Sequence, residues 1–216
     1  MNPFDKFDMI YYINLDKRED RKKQILEELT KMNINMNKVK RIPGIIHDIG
    51  ALGCSFAHLN ALTDCDENNY NNCLILEDDF VFKFNKQETY NTLNNFWNSG
   101  KPWDILMFSG NIIKYKPTNL QFLLKVNNGQ TTSGYSVNKV FLPKLLKNYK
   151  EGIDKFKKLN IKKNHVCLDI YWKKLQHSSN WYVLYPKLGY QRPGYSDIEK
   201  RNVEYKCETK DIKINR

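Results

Sequence analysis

The sequence predicts an α/β fold built on a Rossmann-type, mostly parallel sheet with helices on both faces. Three observations predict it. Short apolar runs rich in β-branched and aromatic residues alternate with segments of helical apolar spacing through the first two thirds of the chain. The apolar runs are about five or six residues long, the length of a buried strand and well under the ~20 that a membrane helix needs. The 216 residues carry no internal repeat and no low-complexity linker, which suits one domain with a sizeable core.

Taken in order, Met9-Ile10-Tyr11-Tyr12-Ile13 reads as the first buried strand. Asp16 and Asp20 bracket a helix start, and Ile25, Leu26, Leu29 and Met32 follow at helical spacing. Ile42-Pro43-Gly44 reads as the turn that closes this unit. Gly50 and Gly53 precede a second helix that Ser55 can cap, with Phe56, Leu59 and Leu62 as its inner stripe. Cys73-Leu74-Ile75-Leu76 is the next strand, and it runs directly into Glu77-Asp78-Asp79. Further strands are expected at 104–108, 131–137 and 181–185. Helices are expected at 140–149, with Pro143 tolerated in the first turn, and at 166–175. The domain is expected to span residues 1–198, followed by a polar, loosely ordered tail over 199–216.

The formal charge is +11, with 27% charged and 41% hydrophobic residues. The lysines fall in short, scattered pairs such as Lys22-Lys23 and Lys162-Lys163, which argues against a nucleic-acid partner; a basic surface attracts an anionic small molecule equally well. The five cysteines are odd in number and show no CxxC spacing, so neither a disulfide framework nor a zinc motif is expected. The start MNPFDKFD has acids and no apolar leader, and no run is long enough to cross a membrane, so a cytoplasmic setting is expected unless the chain is cut from a longer one.

The strongest chemical signal is Glu77-Asp78-Asp79 at the carboxyl end of a buried strand, where ligands of open α/β sheets bind. Adjacent carboxylates repel unless a cation or solvent compensates, and a hard divalent cation does so while bridging to a diphosphate. The plainer reading is a solvated turn. Asn14 to Arg21 follows the first strand and could bring an arginine to the same edge, where its forked donors suit a pyrophosphate; an ordinary helix start explains it as well. His58 lies one turn after Ser55, although a lone helical histidine is more often structural. Asp169 stands among Val166, Leu168, Ile170, Tyr171 and Trp172. It suits a general base, or simply an acid at a helix N-terminus.

Together these segments resemble glycosyltransferase family 25, the family of bacterial lipooligosaccharide glycosyltransferases and collagen galactosyltransferases. The matching pieces come in order. They are Tyr12-Ile13-Asn14-Leu15 with Arg18 and Arg21, Gly53-Cys54 with Ser55 and His58, Leu74 to Asp79, Thr132-Ser133-Gly134-Tyr135, Leu168-Asp169, and Gln191 with Ser196-Asp197-Ile198. One departure is Ala57 before His58, where the family usually has serine. The resemblance implies a GT-A-like fold, a UDP-sugar donor, a glycan or protein acceptor, Mn²⁺ or Mg²⁺, and inversion at the anomeric carbon. It implies that Asp79 holds the metal with Glu77 nearby and that Asp78 contacts the donor's ribose or sugar. It places Asn14, Arg18, Arg21 and His58 along the nucleotide or diphosphate, with Gly134, Tyr135, Gln191 and Asp197 also in the donor site. Asp169 is then the general base, with Asp197 as its competitor for that role. Clustered acids also fit a metal-dependent nuclease or nucleotidyltransferase, and an inactive nucleotide-sugar-binding module would keep the same residues.

Overall fold

Strand β1 (Met9–Asn14) alternates its side chains between two apolar layers, Ile10 and Tyr12 facing one and Tyr11 the other. The same alternation recurs in every central strand, so the sheet must be covered on both faces. In the computed structural model, which describes residues 2–159 and 164–205, helices supply that cover.

Helix α1 (Glu19–Lys31) follows β1 and leads to β2 (Val39–Pro43), parallel to β1, which completes a βαβ unit. Ile42 and Pro43 thus extend the sheet, and the turn expected there begins only at Gly44. Proline is tolerated because β2 is an edge strand. Helix α2 (Gly50–Glu67) begins at Gly50, earlier than expected, so Ser55 is no cap; its hydroxyl donates to the Ala51 carbonyl at 2.8 Å. Of the expected stripe only Leu62 is fully buried against the sheet, beside Ala61 and Cys65. Phe56 and Leu59 pack on a smaller cluster with Ile153 and Phe156.

Then come β3 (Asn72–Glu77), the short β4 (Phe80–Phe82), and α3 (Lys86–Asn98), whose N-terminus is a capping box between Asn85 and Glu88. Strand β5 (Ile105–Met107) precedes a hairpin of β6 (Asn111–Pro117) and β7 (Leu123–Gln130). Strand β8 (Gly134–Asn138) feeds α4 (Leu142–Leu159), with Pro143 in its first turn. The helix expected over 166–175 is divided at Trp172 into α5 (Leu168–Tyr171) and α6 (Lys173–Gln176). Strands β9 (Trp181–Leu184) and β10 (Gly189–Gln191) follow, and β11 (Gly194–Ser196) pairs with β12 (Arg201–Val203). Cys207 and the Lys162-Lys163 pair lie outside the described residues.

The central sheet runs β2-β1-β3-β8-β5-β9-β7-β6. Six of its eight strands point one way, and β8 and β7 run against them. Helices α1 and α3 cover one face through Ile25, Leu29, Leu93 and Phe96. Helices α2, α4, α5 and α6 cover the other through Leu62, Leu145, Leu168 and Leu175. This is the α/β arrangement expected from the sequence. Each fully buried aliphatic side chain contributes about 1.5–3 kcal/mol, so the two layers hold the sheet edge rigidly. Among the described residues no helix is long and apolar enough to cross a membrane.

Candidate active site

The carboxyl ends of β1 and β3 lie side by side, Ile13 opposite Glu77, and the antiparallel β8 starts at the same edge with Gly134 opposite Leu76. Three chain segments therefore deliver side chains to one place. Beyond Glu77 the chain turns through Asp78 and Asp79 into β4, and β10 pairs with β4 so that Gln191 comes alongside. A cleft of about 310 Å³ opens there, lined by Asn14, Arg21, His58, the three acids, Gln191 and Asp197.

Arg21 stands between the last two acids. One terminal nitrogen donates to Asp78 and to Asp79, both at 3.0 Å, and the other donates to the Tyr195 carbonyl at 2.8 Å. Asn14, 1% exposed, donates its amide to Asp78 at 2.8 Å. Its amide oxygen accepts from Arg41 at 3.2 Å, which fixes the orientation of the side chain. Burial raises the Asp78 pKa, with Arg21 and Asn14 opposing. Asp79 is harder to ionise. Burial first, then the Glu77 charge, push its pKa up to about 8 against the pull of Arg21. Gln191 donates to Asp79 Oδ2 at 3.1 Å, whereas Oδ1 is buried with no hydrogen-bond partner.

Glu77 turns away from this pair. Its Oε1 accepts the Thr132 hydroxyl at 2.8 Å and lies 3.2 Å from His58 Nε2. Burial works to raise its pKa, but the His58 contact, Thr132 and Arg21 together hold it below the usual value. His58 is fully buried, and its other ring nitrogen lies 3.2 Å from the Tyr135 hydroxyl, which accepts from Tyr149 at 3.2 Å.

The remaining expected residues sit around this centre. Arg18 does not line the cleft; it grips Asp20 through two nitrogens at 2.9 and 2.8 Å and reaches Asp197 at 2.8 Å. Gly134 lies behind the cleft, where a Cβ would stand 2.6 Å from the Phe80 ring. Tyr135 is also behind it, in contact with His58. Asp169, in the first turn of α5, is half-buried; its Oδ2 accepts the Thr131 N–H at 3.0 Å. Burial raises its pKa, Thr131 opposes, and the Glu77 charge raises it further, so the two carboxylates sense each other.

Sequence reading missed Arg41 and Tyr149 as parts of the site, and nothing in their local pattern marks them; Thr132 lies in the Thr132 to Tyr135 segment singled out above, but no role was expected of it. It also missed the wall formed by residues 44–48. Gly53 explains that wall. A Cβ on Gly53 would lie 2.1 Å from the Ile45 carbonyl oxygen, so the helix needs glycine there to let the loop approach, not to make a turn.

An oxyanion that is buried, unbonded and flanked by two further acids suits a hard divalent cation, so Asp79 fits as a metal ligand. Glu77 fits a cation at the Asp79 position less directly, because its Oε1 is drawn toward His58 and Thr132 instead. The fold and this edge together define an α/β protein with an acid-rich cleft at its strand ends.

No known protein family and no curated protein matches this sequence. Among solved structures, A197 from STIV is 14% identical, with a TM-score of 0.45 over 96% of this chain and 99% of that one. Mannose-1-phosphate geranyltransferase from Thermus thermophilus is 8% identical, with a TM-score of 0.48 over 85% and 73%. A glycosyltransferase involved in glycosylation of the major capsid of PBCV-1 is 12% identical, with a TM-score of 0.41 over 68% and 65%. At such scores these likenesses do not bear on activity. No family model supports glycosyltransferase family 25 in particular.

Proposed function

We propose that the protein is a metal-dependent, inverting glycosyltransferase that moves a hexose, galactose or glucose, from a UDP-sugar to a hydroxyl of a glycan or protein. The observation that carries this reading is Asp79, which lines a cleft shared with Asp78 and Arg21 and whose Oδ1 is buried with no hydrogen-bond partner. The cleft volume is within the range of small-ligand sites.

Asp79 would hold Mn²⁺ or Mg²⁺, which when bound would neutralise the charge developing on the departing diphosphate. Arg21 would turn its guanidinium toward the same phosphates, and Asn14 would keep Asp78 ionised and oriented toward the ribose or sugar. His58, Gln191 and Asp197 would line the donor, with Gly134 and Tyr135 shaping the floor. Arg18 would act through Asp197, which it holds. Inversion takes one in-line displacement. The acceptor oxygen bonds to the anomeric carbon as the bond to UDP breaks with its electrons, and the acceptor proton passes to Asp169.

The test is release of free UDP from a panel of UDP-sugars with a divalent cation and candidate acceptors. Cation-dependent release from one donor is expected, lost in Asp79→Ala with circular dichroism unchanged. Full activity in that variant, or in excess EDTA, would sink the reading.

A further inference from the structure

Beside Asp78 and Asp79, a group of donors shares Glu77 and His58 with the site described above and adds Cys54, to which the glycosyltransferase reading gives no role. Cys54 and His58 are four residues apart on α2, on one face of the helix, and Glu77 meets them from the end of β3. One ligand atom from each (thiol sulfur, ring nitrogen, carboxylate oxygen) lies within 4.8 Å of the other two.

We propose that Cys54, His58 and Glu77 form a binding site for a borderline-soft divalent cation of the zinc type, distinct from the hard-cation position at Asp79. Two N or O ligands about 2.0–2.2 Å from one tetrahedral zinc lie roughly 3.3 Å apart, and a sulfur–nitrogen pair about 3.5 Å. His58 Nε2 and Glu77 Oε1 already stand at 3.2 Å. The thiol, within 4.8 Å of both, has to close by at most about 1.3 Å to reach that spacing. Thiolate with imidazole selects zinc, cobalt or similar ions over Mg²⁺ and Mn²⁺, which prefer all-oxygen sets.

The surroundings match a metal site as well as the three ligands do. The Tyr135 hydroxyl, backed by Tyr149, orients the imidazole from its far side. Thr132 fixes the Glu77 oxygen. All three residues line the cleft, so a fourth ligand would come from that side, as in a reactive rather than a closed zinc site. Hydrogen bonding alone accounts for His58 and Glu77 but leaves the cleft-facing thiol without a role. Binding would release the Cys54 proton to solvent and leave the thiolate on the cation.

The inference shares His58 with the glycosyltransferase reading but does not rest on it, and its test needs no sugar donor. The full chain, reduced and freed of metal, is titrated with Co²⁺. A thiolate-to-cobalt charge-transfer band saturating at one equivalent is expected, displaced by Zn²⁺ and not by Mn²⁺ or Mg²⁺. Cys54→Ser should abolish the band, Tyr135→Phe should weaken binding by about 10–100-fold, and Asp79→Asn should leave it. Loss of donor turnover in Asp79→Asn with the cobalt band intact would separate the two sites. No band in the wild-type protein would overturn the proposal whatever the variants do, and so would a band of equal affinity in Cys54→Ser.

Discussion

Asp79 is costly to keep ionised, because burial and two neighbouring carboxylates all oppose its charge. Asp79→Asn should therefore hold or raise the melting temperature while donor turnover is lost, a combination that a purely structural acid would not show. Arg21 behaves in the opposite sense. It is the cation between Asp78 and Asp79, and its removal leaves them unpaired, at a cost on the order of 3 kcal/mol. Arg21→Ala should melt earlier, recover more on adding Mn²⁺ than the wild type does, and bind UDP about ten- to a hundredfold more weakly by calorimetry, the loss of one charge-assisted hydrogen bond. Asp169 has a competing structural duty, since Thr131 adopts a left-handed φ of 76° and its N–H is held by the Asp169 carboxylate. Asparagine keeps that acceptor. Asp169→Asn should thus spare stability and UDP binding yet slow transfer by about 10²–10⁴-fold if the carboxylate takes the acceptor proton; a normal rate would leave it only the Thr131 contact. The placement of Asp79, Arg21 and Asp169 at strand and helix ends was legible in the sequence pattern, whereas His58 lies mid-helix. Arg41 and Tyr149 were not legible, and Thr132 was legible only as part of a segment, since their contacts exist only once distant parts of the chain are brought together.

Elements with a strong apolar signal were read correctly from the chain. The runs Met9 to Ile13, Cys73 to Leu76 and Trp181 to Tyr185 are central strands buried on both faces, which forces a continuous apolar run. Elements at the margin were missed. Strand β6 is an edge strand with much of its length open to solvent, so Asn111-Ile112-Ile113-Lys114 carries no clean alternation. Helix α3 is rich in asparagine and threonine, which are indifferent helix formers; its capping box was the readable clue. The direction of β8 was hidden too, because antiparallel insertion is a property of connections rather than of a strand. Between α2 and the 44–48 loop, contact depends on one missing methyl. Gly53→Ala should force the Ile45 carbonyl away, destabilise by about 1–3 kcal/mol as overpacking does, and raise the KM for the donor more than it lowers kcat. An unchanged KM and melting temperature would show that the loop yields freely.

At the scale of the molecule, the cleft is closed by segments from opposite ends of the described chain. Asp197, beside the β11–β12 hairpin, bridges to Lys17 at 2.6 Å and to Arg18 at 2.8 Å, and Arg18 and Asp197 are 179 positions apart. Burial would raise the Asp197 pKa, but Lys17 and Arg18 outweigh it and hold the carboxyl below its ordinary value. A depressed folded pKa means that the ion pairs contribute fully above the ordinary carboxylate range and are lost only as pH falls below it, so the clamp is intact at neutral pH. The Lys17 side chain is 56% exposed, so its pair is screened and worth at most about 1 kcal/mol. Asp197→Asn also removes the Arg18 pair, whose side chains are 18% and 20% exposed, so it should lower global stability by at most about 2 kcal/mol. What it should change is the hairpin, which would be cut faster by protease within 194–203, and donor affinity, because Arg21 also holds the Tyr195 carbonyl in the same hairpin. A clamp role predicts a raised KM with kcat preserved, and the same rise in wild-type enzyme when salt is increased from about 0.05 to 0.5 M, as screening weakens the pairs. If Asp197 were instead the group that takes the acceptor proton, kcat would fall by orders of magnitude while proteolysis and the salt response stayed as in the wild type. Measuring KM, kcat and cleavage on one variant decides between them.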